Sequence, residues 1–117
     1  MGLDTTHDCW HGPYSMFMRW RKALHRYTAP NSLHALEEAW ESGDYADQSE
    51  PINVLMGHSD CDGEIPAEMC GPLADALQTV VERMPQRGIY DEARPAAERF
   101  IAGLRWAAKD GDAVEFH

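Results

Sequence analysis

Four stretches of this chain place apolar residues three and four positions apart, and proline or glycine punctuates their ends. That spacing lays the apolar side chains along one stripe of an α-helix and fits a strand badly. The first stretch, 13–27, carries Tyr14, Phe17, Met18, Leu24 and Tyr27, with Arg19, Lys22 and Arg26 on the opposite side and Pro13 suited to a first turn. The second follows Pro30-Asn31-Ser32 and runs through Leu33, Leu36 and Trp40 to Gly43. The third carries Leu73, Leu77, Val80, Val81 and Met84. Gly71-Pro72 interrupts it, because an interior proline removes a hydrogen bond. A turn at 66–70 and then a helix at 72–84 is therefore expected. The fourth begins at Asp91, turns Phe100, Ile101, Leu104 and Ala108 inward and ends before Gly111.

Short apolar segments fill the rest. Ile52-Asn53-Val54-Leu55-Met56 is partly β-branched and reads as a buried strand, and 113–116 reads as a terminal strand. Residues 43–51 and 57–64 read as loops. The expected fold is one α+β domain over residues 1–117, mainly α-helical, with about four helices and a small two- or three-stranded sheet. A chain of 117 residues that is 44% hydrophobic is large enough to bury a core.

Charge narrows the partners. The net charge is −10, and between Tyr27 and Glu82 twelve Asp and Glu stand without a single Lys or Arg. A surface this acidic repels phosphate backbones, so direct nucleic-acid binding is not expected. Arg19, Arg21, Lys22 and Arg26 group just before the acidic stretch. No apolar run approaches the roughly 18 residues of a membrane span. The first residues lack the basic and apolar segments of a secretory signal, and an odd count of three cysteines argues against a disulfide framework. A cytoplasmic protein is expected.

Histidine stands beside carboxylate in three separate segments: Asp4-Thr5-Thr6-His7-Asp8-Cys9-Trp10-His11, His58-Ser59-Asp60-Cys61-Asp62-Gly63-Glu64, and Val114-Glu115-Phe116-His117. Imidazole and carboxylate both offer lone pairs at neutral pH, as a divalent metal or an acid–base site requires. The central segment partly follows the EF-hand pattern, with Asp60, Asp62, Gly63 and Ile65 in register. His58 stands at the first position, however, and Met69 where a bidentate Glu belongs. Imidazole moves the preference from calcium to zinc or manganese. If 2–6, 52–56 and 113–116 were neighbouring parallel strands, His7, His58 and His117 would meet at one sheet edge.

The expected ligands are His7, His58 and Asp60, followed by Asp4, Asp8, Asp62 and His117. Glu64 is the carboxylate placed to take a proton from metal-bound water in hydrolysis of a small phosphate or amide substrate. The simpler readings are local. Asp-Thr-Thr, Ser59-Asp60 and Asp62-Gly63 are cap and turn formers. His25 and His34 fall among surface positions, and Cys9, Cys61 and Cys70 suit small buried sites. A cysteine nucleophile beside His7, His11 or His58 ranks below metal binding.

The segments Gly2-Leu3-Asp4-Thr5-Thr6-His7-Asp8 and His58-Ser59-Asp60-Cys61-Asp62-Gly63-Glu64, the ending Glu115-Phe116-His117 and the run Arg99-Phe100-Ile101-Ala102-Gly103-Leu104 resemble a family of small bacterial and phage proteins without an assigned activity. The resemblance implies a phage or prophage setting, in which small acidic proteins act against host defence. Two non-enzymatic roles follow as alternatives to the metal site. One is an acidic inhibitor that captures a basic host protein. The other is a sponge for a nucleotide signal, which would need the basic helix and an aromatic such as Trp20 or Tyr14.

Overall fold

The computed structural model describes residues 2–28, 38, 41, 50–58, 62–84 and 93–117. In chain order these form β1 (Gly2–Asp4), a 3₁₀ turn (Thr6–Asp8), β2 (His11–Pro13), α1 (Tyr14–Thr28), α2 (Pro51–Met56), β3 (Glu64–Ile65), α3 (Ala67–Arg83), α4 (Ala93–Asp110) and β4 (Val114–Glu115). The fold is α+β and mainly helical, as its periodicity predicts. None of the described helices is long and apolar enough to cross a membrane.

The stripe of α1 buries Phe17, Trp20 and Leu24 and leaves Arg19, Lys22 and Arg26 exposed. His25 and Arg21 depart from expectation, since both are buried on the inner face of α1. Arg21 therefore does not belong to the basic surface group. Its Nη1 donates to the carbonyls of Leu55, Met56 and His58 at 3.4, 3.4 and 2.6 Å. These carbonyls lie at the C-terminal end of α2, where unpaired acceptors and the helix dipole both favour a cation. The guanidinium also lies 4.6 Å from the centre of the Phe17 ring.

Segment 52–56 is helical, not a strand. Pro51 occupies the first turn, and the Gly57 N–H closes the other end on Asn53. Six residues are too few for periodicity to separate helix from strand, and packing under α1 decides the outcome. The expected break at Gly71-Pro72 is absent as well. Helix α3 runs unbroken through Pro72, which is exposed, while Cys70, Leu73, Ala74 and Leu77 on its inner face are buried. The missing hydrogen bond of Pro72 thus falls on the solvent side of a helix held by its core contacts. Of the expected helix at 33–43 only Glu38 and Glu41 are described, both helical and exposed. The remainder, with His34, lies outside the described residues.

Helix α4 buries Ala97, Phe100, Ile101, Gly103, Leu104 and Ala107 against α3 and the 3₁₀ turn. It ends in a Schellman motif. Gly111 adopts φ +71°, its N–H bonds the Ala108 carbonyl at 3.2 Å, and the Asp112 N–H bonds the Ala107 carbonyl at 2.8 Å. This ending turns the chain into β4.

The strands form two antiparallel pairs, β1 with β2 and β3 with β4, joined by an antiparallel bridge between Thr5 and Phe116. Residues 4–5 pair with 116–117, but antiparallel, where the meeting of three histidines required parallel strands at 2–6, 52–56 and 113–116. The partner on the far side of β4 is 64–65 rather than 52–56. The antiparallel order removes the common C-terminal edge at which three histidines were to meet.

Candidate functional site

The 3₁₀ turn presses tightly on α4. A Cβ added to Gly103 would stand 2.5 Å from Cys9 Sγ and 2.6 Å from the His7 carbonyl oxygen, so only glycine admits this approach. His7 and Asp8 take φ values of 61° and 56°, a left-handed conformation that costs side-chain-bearing residues energy. Docking on Gly103 and the chain return at Thr5, whose Oγ1 accepts the Trp10 N–H at 2.8 Å, hold them there.

In this position His7 Nε2 lies 3.3 Å from Asp112 Oδ2, and Nδ1 lies 2.9 Å from Thr6 Oγ1. The tautomer that donates Nε2–H to Asp112 accepts the Thr6 hydroxyl at Nδ1. Thr6 Oγ1 in turn accepts the Glu115 N–H at 3.0 Å. The His7 ring meets the half-exposed Trp106 edge-on at 4.9 Å. The expected ligand His7 is thus occupied in joining the N-terminal turn to the end of α4 and to β4.

The other expected ligands are spread along the strands. His58 stacks on Phe116 with ring centres 4.1 Å apart, and its Nε2 lies 3.1 Å from the Glu64 carbonyl oxygen. Asp4 and His11 face each other across β1 and β2, with His11 Nδ1 against Asp4 Oδ1. His117 pairs with Asp4 through the backbone. Asp8, Asp62 and Glu64 are exposed. Asp60, with Ser59 and Cys61, lies outside the described residues, so the turn of EF-hand shape falls there too. Among the described residues no three His, Cys, Asp or Glu side chains stand arranged to hold a metal ion. The three segments do converge on one ribbon of strands, but His7, His58 and His117 go to three different partners.

Burial disfavours the thiolate form of Cys9 and Cys70, the two described cysteines. Burial raises the Cys9 thiol to about 12, with further contributions from Cys70 and Asp8 against a smaller opposing hydrogen bond from Thr5. Burial likewise raises Cys70, whose Sγ points at the Ile65, Pro66 and Asp112 carbonyls. Thiols held protonated are poor nucleophiles.

A different site stands on the other side of β2. A cleft of about 810 Å³ opens between β2, α1 and the first turns of α4. Trp10, Met16, Trp20 and Ala96 supply apolar wall, and Arg19 and Arg99 flank it. Trp10 and Trp20 stack at 5.1 Å, and Trp20 continues onto Phe100 at 5.1 Å. The two indoles differ in one respect. Trp20 Nε1 donates to the Ala93 carbonyl at 3.1 Å, whereas the buried Trp10 Nε1 has no acceptor among the described residues. Gly12 lies beside that nitrogen, and a Cβ there would stand 3.8 Å from it.

Arginines elsewhere on α4 pair with carboxylates, Arg94 with Glu98 and Arg105 with Asp75. Arg19 and Arg99 are exposed and have no such partner among the described residues. Sequence reasoning names Trp20 and the basic helix but misses Trp10 and Arg99, which approach them only through the tertiary fold. Comparison of the chain with protein-family models, curated proteins and solved structures finds no match.

Proposed function

We propose that this protein binds a small anionic molecule with a flat ring, of nucleotide size, in the cleft between α1 and α4. The observation that carries the reading is an apolar wall holding Trp10 and Trp20, stacked at 5.1 Å, between two exposed arginines. Arginine forks suit phosphate or carboxylate, and the apolar wall suits a ring. The cleft volume is within the range of small-molecule sites. The net charge of −10 opposes an anion at long range, but screening over about 8 Å leaves the two arginines in control near the cleft. Among the roles expected from sequence, the reading corresponds to the nucleotide sponge.

The test is a thermal-shift screen of mononucleotides, cyclic nucleotides and aromatic carboxylates, followed by calorimetry. At least one class should stabilise the protein. Arg19→Glu combined with Arg99→Glu should abolish that shift, and either reversal alone should weaken binding about tenfold, equivalent to about 1.4 kcal/mol. A panel that produces no shift, or binding that survives the double charge reversal, sinks the reading.

A further inference from the structure

We infer that Asp4, His11 and His117 form a binding site for a divalent transition metal on the open face of the strand ribbon. The inference rests on strand register and stands apart from the anion cleft. The Asp4 N–H bonds the His117 carbonyl at 2.9 Å, and the His117 N–H bonds the Asp4 carbonyl at 2.8 Å. Two residues that exchange both bonds are an opposed antiparallel pair, and their side chains leave the same face. Asp4 is also opposite His11 in the register of β1 and β2. Because its backbone groups turn to His117, its pairing with His11 is of the non-hydrogen-bonded kind, in which side chains stand closest.

The result is a row of imidazole, carboxylate and imidazole, three strands abreast. All three residues are exposed, while the neighbouring Leu3 is buried on the opposite face. His11 Nδ1 already contacts Asp4 Oδ1, so these two side chains are in reach of one another, and a metal would take the place of the proton between them. As they stand the three side chains do not converge, and metal binding would require the exposed His117 to change rotamer toward the other two. Two imidazoles and one carboxylate are a donor set for zinc, cobalt or nickel, with remaining positions open to water. This set contains two of the ligands expected from sequence, Asp4 and His117, and replaces the rest with His11.

The test is titration of tag-free protein with Zn²⁺ by calorimetry, and with Co²⁺ by its visible absorption. About one ion per chain is expected, with a cobalt spectrum showing nitrogen and oxygen donors. Asp4→Asn, His11→Ala and His117→Ala should each weaken binding at least about tenfold, while Asp8→Asn leaves it unchanged. Circular dichroism of the three variants separates loss of ligand from loss of fold, which their exposure should spare. Absence of uptake overturns the inference. So does uptake that His7→Gln or His58→Gln removes while His11→Ala does not.

Discussion

Gly103 puts two residue-scale forces in direct opposition. Helix propensity alone favours alanine over glycine by about 1 kcal/mol. Contact at α4 argues the other way, since the new methyl would drive into Cys9 Sγ and the His7 carbonyl. Overpacking of this kind costs about 1–3 kcal/mol, and here one of the obstructing groups is backbone. Gly103→Ala should therefore lower Tm, whereas the exposed Ala102→Gly should show only the loss of propensity. Cys9 supplies a second residue-scale expectation. Its folded-state value of about 12 lies above the ordinary 9.0, so the unfolded chain loses this proton first as pH rises. The associated stability is complete below pH 9 and drains away between 9 and about 12. Urea unfolding at pH 8 and pH 10 should show the decline, and Cys9→Ala should flatten it.

At the scale of elements, α2 depends on a residue from another helix. Arg21 reaches from α1 to three carbonyls at the end of α2. Arg21→Met retains much of the buried stem but withdraws that donor, and should cost about 2–3 kcal/mol in denaturant unfolding. A selective loss of protection in the amides of α2 would identify the mechanism. This dependence also explains what could be read in advance. The stripe of α1 was legible because fifteen residues supply four turns of pattern. Segment 52–56 was not, because a short apolar run reads alike as strand or helix, and its cationic cap comes from α1. Pro72 is a local signal for a break that α3 overrides, since the stripe from Cys70 to Val81 buries as one surface. The strand at 64–65 had no apolar run to announce it and exists through pairing with β4.

For the molecule as a whole, the three histidine–carboxylate segments do come together on one ribbon of strands. Residue types showed that the segments could cooperate; strand direction and register decided which side chains meet. Register sets Asp4 opposite both His117 and His11, a placement that no sequence spacing announces, while His7 contacts Asp112 and Thr6 and His58 stacks on Phe116. The cleft was less visible still, because Trp10, Trp20, Arg19 and Arg99 share no sequence motif. The Asp4–His117 pair also bears on how the protein is made. Its two residues are separated by almost the entire chain, and such contacts carry a large loop-closure entropy that slows their formation. Helices α3 and α4, neighbours in sequence and in space, can dock before that closure. In refolding from denaturant with Co²⁺ present, cobalt colour should then trail the recovery of helical circular dichroism. The His–Asp–His row would serve as an optical clock for the last step of folding.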